Sequence, residues 1–208
     1  AAAERNLVLY NAVRHLVDKR WAIYGNGENK GYATIHSRWL EGECHRRIGD
    51  FLEKDECWMT PSYIKDIMGG IIDRPIVFIG DGQNEEVLKN LKKDPDIGPA
   101  LIVPEEDVVL PDGMDFKSLP QPLNDMMIAV MGEMFIGTRA STFATMVGTM
   151  RVVRGADPLS NFIYTNRYSP EGLPNGEEQT GAIEICEECL FLCDNKRSKI
   201  CGHDVIFT

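Results

Sequence analysis

The sequence has no long hydrophobic run. No stretch approaches the roughly 18 to 20 consecutive apolar residues that cross a bilayer, and the first residues lack the charged, apolar and small-residue regions of a signal peptide. We therefore expect no membrane contact by this segment. If the protein enters the secretory pathway, we expect its targeting segment to lie outside this chain.

Basic residues are scarce relative to acidic ones. The chain has 22 Lys and Arg against 32 Asp and Glu, a formal net charge of −10. This balance argues against a broad nucleic-acid surface and against adhesion to anionic lipid. A diphosphate can still bind to an acidic protein through a few well-placed arginines. We expect no nucleic-acid partner.

Two phosphate-binding fingerprints are also missing. No Gly-x-Gly-x-x-Gly opens the domain, and no Gly-x-x-x-x-Gly-Lys-Ser/Thr occurs. The dinucleotide fingerprint and the P-loop therefore cannot explain any phosphate site in this chain.

No Asn-x-Ser/Thr sequon is present to indicate the compartment. The six cysteines fall into a pair and a group of four: Cys44 and Cys57, then Cys186, Cys189, Cys193 and Cys201. An even number in two groups favours disulfides in an oxidising compartment. Zinc is the alternative, because Cys186-x-x-Cys189 has ligand spacing and His203 lies nearby.

Strand and helix patterns alternate along most of the chain. We predict helices at residues 4–20, 60–69, 85–92 and 123–132. We predict strands at 32–39, 75–79, 101–103 and 161–165, and one more strand that ends at residue 136. Residues 104–122 have the composition of a loop. The alternation predicts an α/β fold, with a Rossmann-like parallel sheet of four or five strands and helices on both faces. We place this domain at residues 1–168 and a small Cys-rich C-terminal appendage at 169–208.

The stretch 135–151 combines a strand, a turn and a helix start. Phe135-Ile136 ends an apolar run, Gly137 is expected to break it, and Ser141 or Thr142 can cap the next helix. Helix N-termini present unpaired N–H groups and a positive dipole end, so this turn can hold a phosphate. The pattern also fits an ordinary capped helix. Its expected buried side chains are Phe143, Met146, Val147 and Met150.

His36 and Arg38 close the predicted strand at 32–39. With a period of two they share one face, at the carboxyl end where open α/β sheets bind ligands. The guanidinium fork of Arg38 matches phosphate oxygens. Taken alone, Arg38 also fits a surface ion pair and His36 a satisfied half-buried residue. Together with the helix start at 141–142, the two residues indicate a phosphate site.

Several features in this order resemble the second half of the GDP-fucose protein O-fucosyltransferase family. They are His36-x-Arg38, Phe78-Ile79-Gly80-Asp81, a helix bearing Asp125, and Phe135-Ile136-Gly137-Thr138 followed by Ser141-Thr142-Phe143. The resemblance covers residues 2–154. It implies the second, donor-binding domain of a GT-B fold. The family's first Rossmann domain, and any catalytic base that it supplies, would be missing from this chain.

The resemblance also implies site residues. Arg38 would contact the β-phosphate of GDP-fucose and stabilise the leaving diphosphate, which makes it the catalytic residue. The substrate-binding residues would be His36, Arg38, Asp125, Ser141, Thr142 and Phe143. His36 would shape the pocket, Asp125 would contact guanine, and the last three would enclose the phosphates and the base. Ala144 stands where many relatives have serine, which removes one donor.

The implied reaction is inverting transfer of L-fucose from GDP-fucose to a hydroxyl of a protein or glycan acceptor. The family is described as able to work without a bound metal, so we expect no metal and no other cofactor. The resemblance and the even cysteine count imply the lumen of the endoplasmic reticulum or Golgi. Two alternatives remain open: a nucleotide- or glycoprotein-binding module of the same fold without catalysis, and a zinc-organised interaction domain. Asp125 also fits a simpler role as a helix-start charge.

Overall fold

Six strands form one sheet in the computed structural model, which describes residues 2–24, 31–38, 59–82, 85–111, 114–116, 119–138, 141–164 and 182–184. The strands are β1 (Ala33–Ser37), β2 (Ile76–Gly80), β3 (Leu101–Ile102), β4 (Met134–Thr138), β5 (Asn161–Tyr164) and β6 (Ala182–Glu184). Their order is β3-β2-β1-β4-β5-β6. The first five are parallel, and β6 is antiparallel to β5.

The described helices connect these strands. They are α1 (Ala2–Tyr24), α2 (Pro61–Ile67), α3 (Glu85–Lys93), α4 (Ile97–Ala100), α5 (Pro104–Asp107), α6 (Gln121–Met131) and α7 (Thr142–Val153), with a 3₁₀ turn at Pro158–Ser160. Thr60 caps α2 and Pro61 opens it, as predicted. Among the helices in the described part of the chain, none combines the length and apolar character needed to cross a membrane.

Helices cover both faces of the sheet, because successive strand side chains point to opposite sides. On one face Val77 and Phe135 belong to a core shared with α1, α6 and α7. On the other face Ile35, Phe78 and Ile136 share a core with α2, α3 and α4. A parallel sheet buried in this way reads as continuous apolar runs. The predicted α/β class and parallel sheet are confirmed, and the arrangement is consistent with a Rossmann-like fold.

The strand order reverses at β1. The chain passes from β1 through β2 to β3 on one side, and α6 then leads it to β4 on the other side of β1. In open α/β sheets, crossovers that diverge from neighbouring strands leave a crevice at the carboxyl ends, and ligands bind there. The carboxyl ends of β1 and β4, at residues 36–38 and 137–138, lie at this edge of the sheet.

The last strand lies beyond the predicted sheet. β6 pairs with β5, with Phe162 opposite Glu184 and Tyr164 opposite Ala182. It falls within residues 169–208, so part of the predicted appendage extends the main sheet. All six cysteines and His203 lie outside the described residues.

Gly137 does not break its strand, contrary to our prediction. β4 continues through Gly137 to Thr138, and Gly137 lies opposite His36 on β1. A Cβ atom at this position would lie 2.7 Å from the Cβ of Ala144 and 2.8 Å from the ring of Phe135. Glycine therefore serves the close approach of α7 rather than a turn.

The buried face of α7 also differs from the prediction. Val147 is fully buried, as predicted, but the other fully buried side chains are Ala144 and Arg151, whereas Met146 and Met150 are 49% and 41% exposed. Phe143 is half-buried. The close approach of Ala144 to Gly137 fixes the rotation of α7 about its axis. The small Ala144 side chain therefore faces the sheet, and the larger Met146 and Met150 do not.

Residues 104–122 are not a single loop. Pro104 begins α5, and Gln121-Pro122 begins α6. Proline suits a first helical turn because its missing N–H would have no partner there. Asp125 is consequently the fifth residue of α6, past the first turn in which the dipole acts. The predicted role of Asp125 as a helix-start charge is wrong.

Candidate functional site

A cavity of about 400 Å³ lies at the carboxyl ends of β1 and β2, beside the start of α7. This volume is in the range of small-molecule sites. Its lining residues are His36, Arg38, Ile79, Gly80, Asp81, Gly82, Glu105, Gln121, Pro122, Asp125 and Phe143. The sheet geometry thus brings together four of the six predicted site residues, which are His36, Arg38, Asp125 and Phe143. Ser141 and Thr142 are not among the lining residues, but they directly precede Phe143.

Thr138 joins the end of β1 to the start of α7. Its hydroxyl donates to the carbonyl oxygen of His36 at 3.0 Å and accepts from the backbone N–H of Arg38 at 3.0 Å. The N–H of Ser141 donates to the carbonyl oxygen of Thr138 at 3.3 Å. One threonine therefore fixes the backbone of Arg38 relative to the helix start.

His36 forms a neutral, aromatic part of the cavity wall. It is 6% exposed, and its ring stacks on that of Phe143 with centroids 4.5 Å apart and planes at 30°. Burial, and then the charge of Arg38, lower the pKa of His36 to about 4 against the opposing effect of Asp81. The imidazole is uncharged near neutral pH. Its Nδ1 has no hydrogen-bond partner in the part of the chain that the structure describes.

The start of α7 leaves backbone donors available. Ser141 is the N-cap, as predicted, and its Oγ accepts from the N–H of Ala144 at 3.3 Å. Thr142 and Phe143 are the first two helical residues, whose N–H groups cannot bond within the helix. Neither N–H has a partner among the described residues. With the helix dipole, these two donors can bind an anion.

Asp125 is a buried carboxyl in the same cavity. It is 9% exposed, and the Gln121 side chain donates to its Oδ1 at 3.0 Å. Among the described residues, Oδ2 has no hydrogen-bond partner. Burial, followed by the nearby Glu105 carboxylate, raises the pKa of Asp125 to about 7, although the bond from Gln121 opposes this shift. Both protonation states are therefore populated near neutral pH.

Sequence reasoning missed three polar residues of the cavity. Glu105 and Gln121 lie in the Pro-rich stretch that we interpreted as loop, and Asp81 was part of a motif without an assigned role. The spacing of Gln121 and Asp125, four residues apart, places them on one helical face. That signal becomes visible only once α6 is known to begin at Gln121.

Within the described ranges, no group of three or more His, Cys, Asp or Glu side chains could hold a metal ion. The sequence contains one Asp-x-Asp, Asp94-Pro95-Asp96, just before α4. Its two carboxylates pair with Lys65 at 2.9 and 2.7 Å. Neither residue is among those lining the cavity.

No protein-family model matches the chain, and no curated protein matches it either. A functional conclusion therefore depends on the cavity and its residues.

Proposed function

We propose that this chain is the donor-binding domain of a GT-B fucosyltransferase, which transfers L-fucose from GDP-fucose to a hydroxyl of a protein or glycan. One observation carries the proposal. Arg38 is hydrogen-bonded to Thr138, 100 residues away in sequence, and Thr138 in turn accepts from Ser141 at the start of α7, at the point where the strand order reverses.

The diphosphate would bind between these two groups. Arg38 is the only Lys or Arg among the described residues that line the cavity. Its planar fork can donate two parallel hydrogen bonds to phosphate oxygens. The N–H groups of Thr142 and Phe143 add donors at the positive end of the α7 dipole. This local cluster supports diphosphate binding in spite of the net charge of −10.

The base would bind near Asp125. Guanine presents N1–H and N2–H donors side by side, and a carboxylate can accept both. Phe143 offers a flat apolar surface beside the cavity. Uracil lacks the paired donors, so an ionised Asp125 favours guanine over uracil.

Arg38 would also assist the chemical step. As the bond between fucose and the β-phosphate breaks, negative charge grows on the departing diphosphate. A preorganised guanidinium stabilises that charge more in the transition state than in the ground state. Attack of the acceptor hydroxyl on the opposite face of the sugar carbon gives inversion. Any base that the family's first domain supplies to take the hydroxyl proton would be missing from this chain.

We expect GDP and GDP-fucose to bind at one site and UDP to bind at least about tenfold more weakly, because a missing hydrogen bond to a charged group costs about 1.5 kcal/mol or more. Isothermal titration calorimetry with the three ligands at pH 8 measures this difference. Equal affinity for UDP and GDP would contradict guanine recognition. Tight binding of GDP-fucose without transfer, when the upstream domain and an acceptor are present, would favour the non-catalytic alternative.

A further inference from the structure

Asp125 is placed so that a proton on it changes what the cavity can recognise. The carboxyl is buried at the cavity wall. Gln121 donates one hydrogen bond to Oδ1, and Oδ2 has no partner among the described residues. Because each carboxylate oxygen has about two lone-pair sites, both oxygens can still accept from a ligand. Oδ2 is also the oxygen that can carry a proton. A base that reaches it meets either a bare acceptor or, if the proton sits there, a donor.

Charged and titratable groups from several elements line the cavity together with this carboxyl. Glu105 comes from α5, Asp81 follows β2, and His36 and Arg38 come from the end of β1. The helices α1 and α7 also pack against α6, but none of their described ionisable side chains lines the cavity. Burial and Glu105 favour the protonated form and bring the pKa of Asp125 to about 7.

The two forms of the carboxyl match different bases. A carboxylate offers two acceptors, whereas the neutral acid offers one donor and one acceptor. Guanine presents two adjacent donors. Uracil and adenine each present a donor beside an acceptor on the corresponding edge. We propose, on the basis of the nucleotide-binding function above, that ionised Asp125 selects guanine and that protonation of Asp125 shifts the preference of the cavity towards adenine and uracil.

The test uses three nucleotide sugars that differ only in their base: GDP-glucose, ADP-glucose and UDP-glucose. Their diphosphates are diesters, so they carry no proton that titrates near neutral pH. The ionised fraction of a group with a pKa of about 7 falls from about 0.9 at pH 8 to about 0.1 at pH 6. We therefore expect calorimetry of the full chain to show about tenfold weaker GDP-glucose binding at pH 6 than at pH 8. Binding of the other two should strengthen by up to about tenfold, because the neutral fraction rises by the same factor.

Asp125→Asn is the matched control, because an amide permanently offers one donor and one acceptor. This variant should show at every pH the base preference that the wild type reaches at pH 6. If circular dichroism shows that the variant is unfolded, the pH series of the wild type decides alone. Tight GDP-glucose binding with a base preference that does not change with pH would overturn this inference and leave the proposed function standing. Failure of GDP-glucose and GDP-fucose to bind at any pH would overturn both.

Discussion

Arg38→Ala is expected to weaken GDP-fucose binding by roughly 30- to 150-fold, or about 2 to 3 kcal/mol, in the upper part of the range for hydrogen bonds to charged groups. The guanidinium lines the cavity next to the start of α7, and no other Lys or Arg among the described lining residues can replace it. Titration calorimetry at fixed salt measures the loss. Salt must be held constant because charge interactions are screened.

Arg38→Lys is the matched control for charge. Lysine keeps the positive charge but loses the planar fork, so we expect an intermediate affinity. The backbone bond from residue 38 to Thr138 does not depend on the side chain, so the fold should survive both changes. If Arg38 also assists the proposed transfer, initial rates at varied acceptor, measured together with the proposed upstream domain, should show a larger loss of turnover than of acceptor binding. Unchanged GDP-fucose affinity in Arg38→Ala would show that Arg38 does not bind the donor.

Arg151→Met is expected to lower the free energy of unfolding by about 3 to 5 kcal/mol, because it removes a buried guanidinium and leaves several buried oxygen acceptors unpaired, each at a cost of about 1 to 3 kcal/mol. Arg151 is 0% exposed. Burial lowers its pKa to about 10, so it stays charged at neutral pH. Its guanidinium donates to five oxygens: the side chains of Asn161 and Ser160, and the carbonyls of Ala129, Gly132 and Glu133.

Urea unfolding followed by circular dichroism measures this change. Methionine retains much of the apolar stem, so the loss reports the hydrogen bonds rather than an empty cavity. Arg154→Met, in an exposed position at the end of α7, is the control and should change stability by less than about 0.5 kcal/mol. Equal effects of the two substitutions would show that the network does not contribute.

The layered sheet could be predicted because its signals are local. The apolar run that became β2 lies between Pro75 and Asp81, and the strand falls where the pattern indicates. The run that became β4 was also recognised, although the strand continues two residues past its predicted end. Helix starts are local as well. Thr60 accepts from the N–H of Tyr63 at 3.4 Å, and Ser141 accepts from that of Ala144 at 3.3 Å. A hydroxyl that caps the third residue ahead needs no tertiary context.

The remaining features depend on contacts between elements. Thr138 bridges Arg38 and the start of α7, and nothing in the local sequence indicates that a threonine at the end of one strand will bond to the next strand in the sheet. The rotation of α7 follows from a steric contact at Gly137. β6, with three residues, is too short to produce a pattern of alternation. Glu105 and Gln121 reach the cavity only because prolines in that stretch begin helices.

The convergence of Arg38 and the α7 start on one diphosphate can be tested by a double-mutant cycle with Thr142→Pro. Thr142 is the first helical residue, where proline is well tolerated because the backbone N–H that it removes is unpaired. Ser141 has ψ 115°, in the extended region that precedes proline comfortably. Thr142→Ala controls for loss of the hydroxyl.

Calorimetry with GDP on wild type, Arg38→Ala, Thr142→Pro and the double variant gives the coupling energy between the two groups. If both hold the same diphosphate, each single change weakens binding and the two losses deviate from additivity by about 0.5 to 3 kcal/mol. Losses that add to within about 0.3 kcal/mol, or a Thr142→Pro variant with wild-type affinity, would contradict a shared diphosphate site.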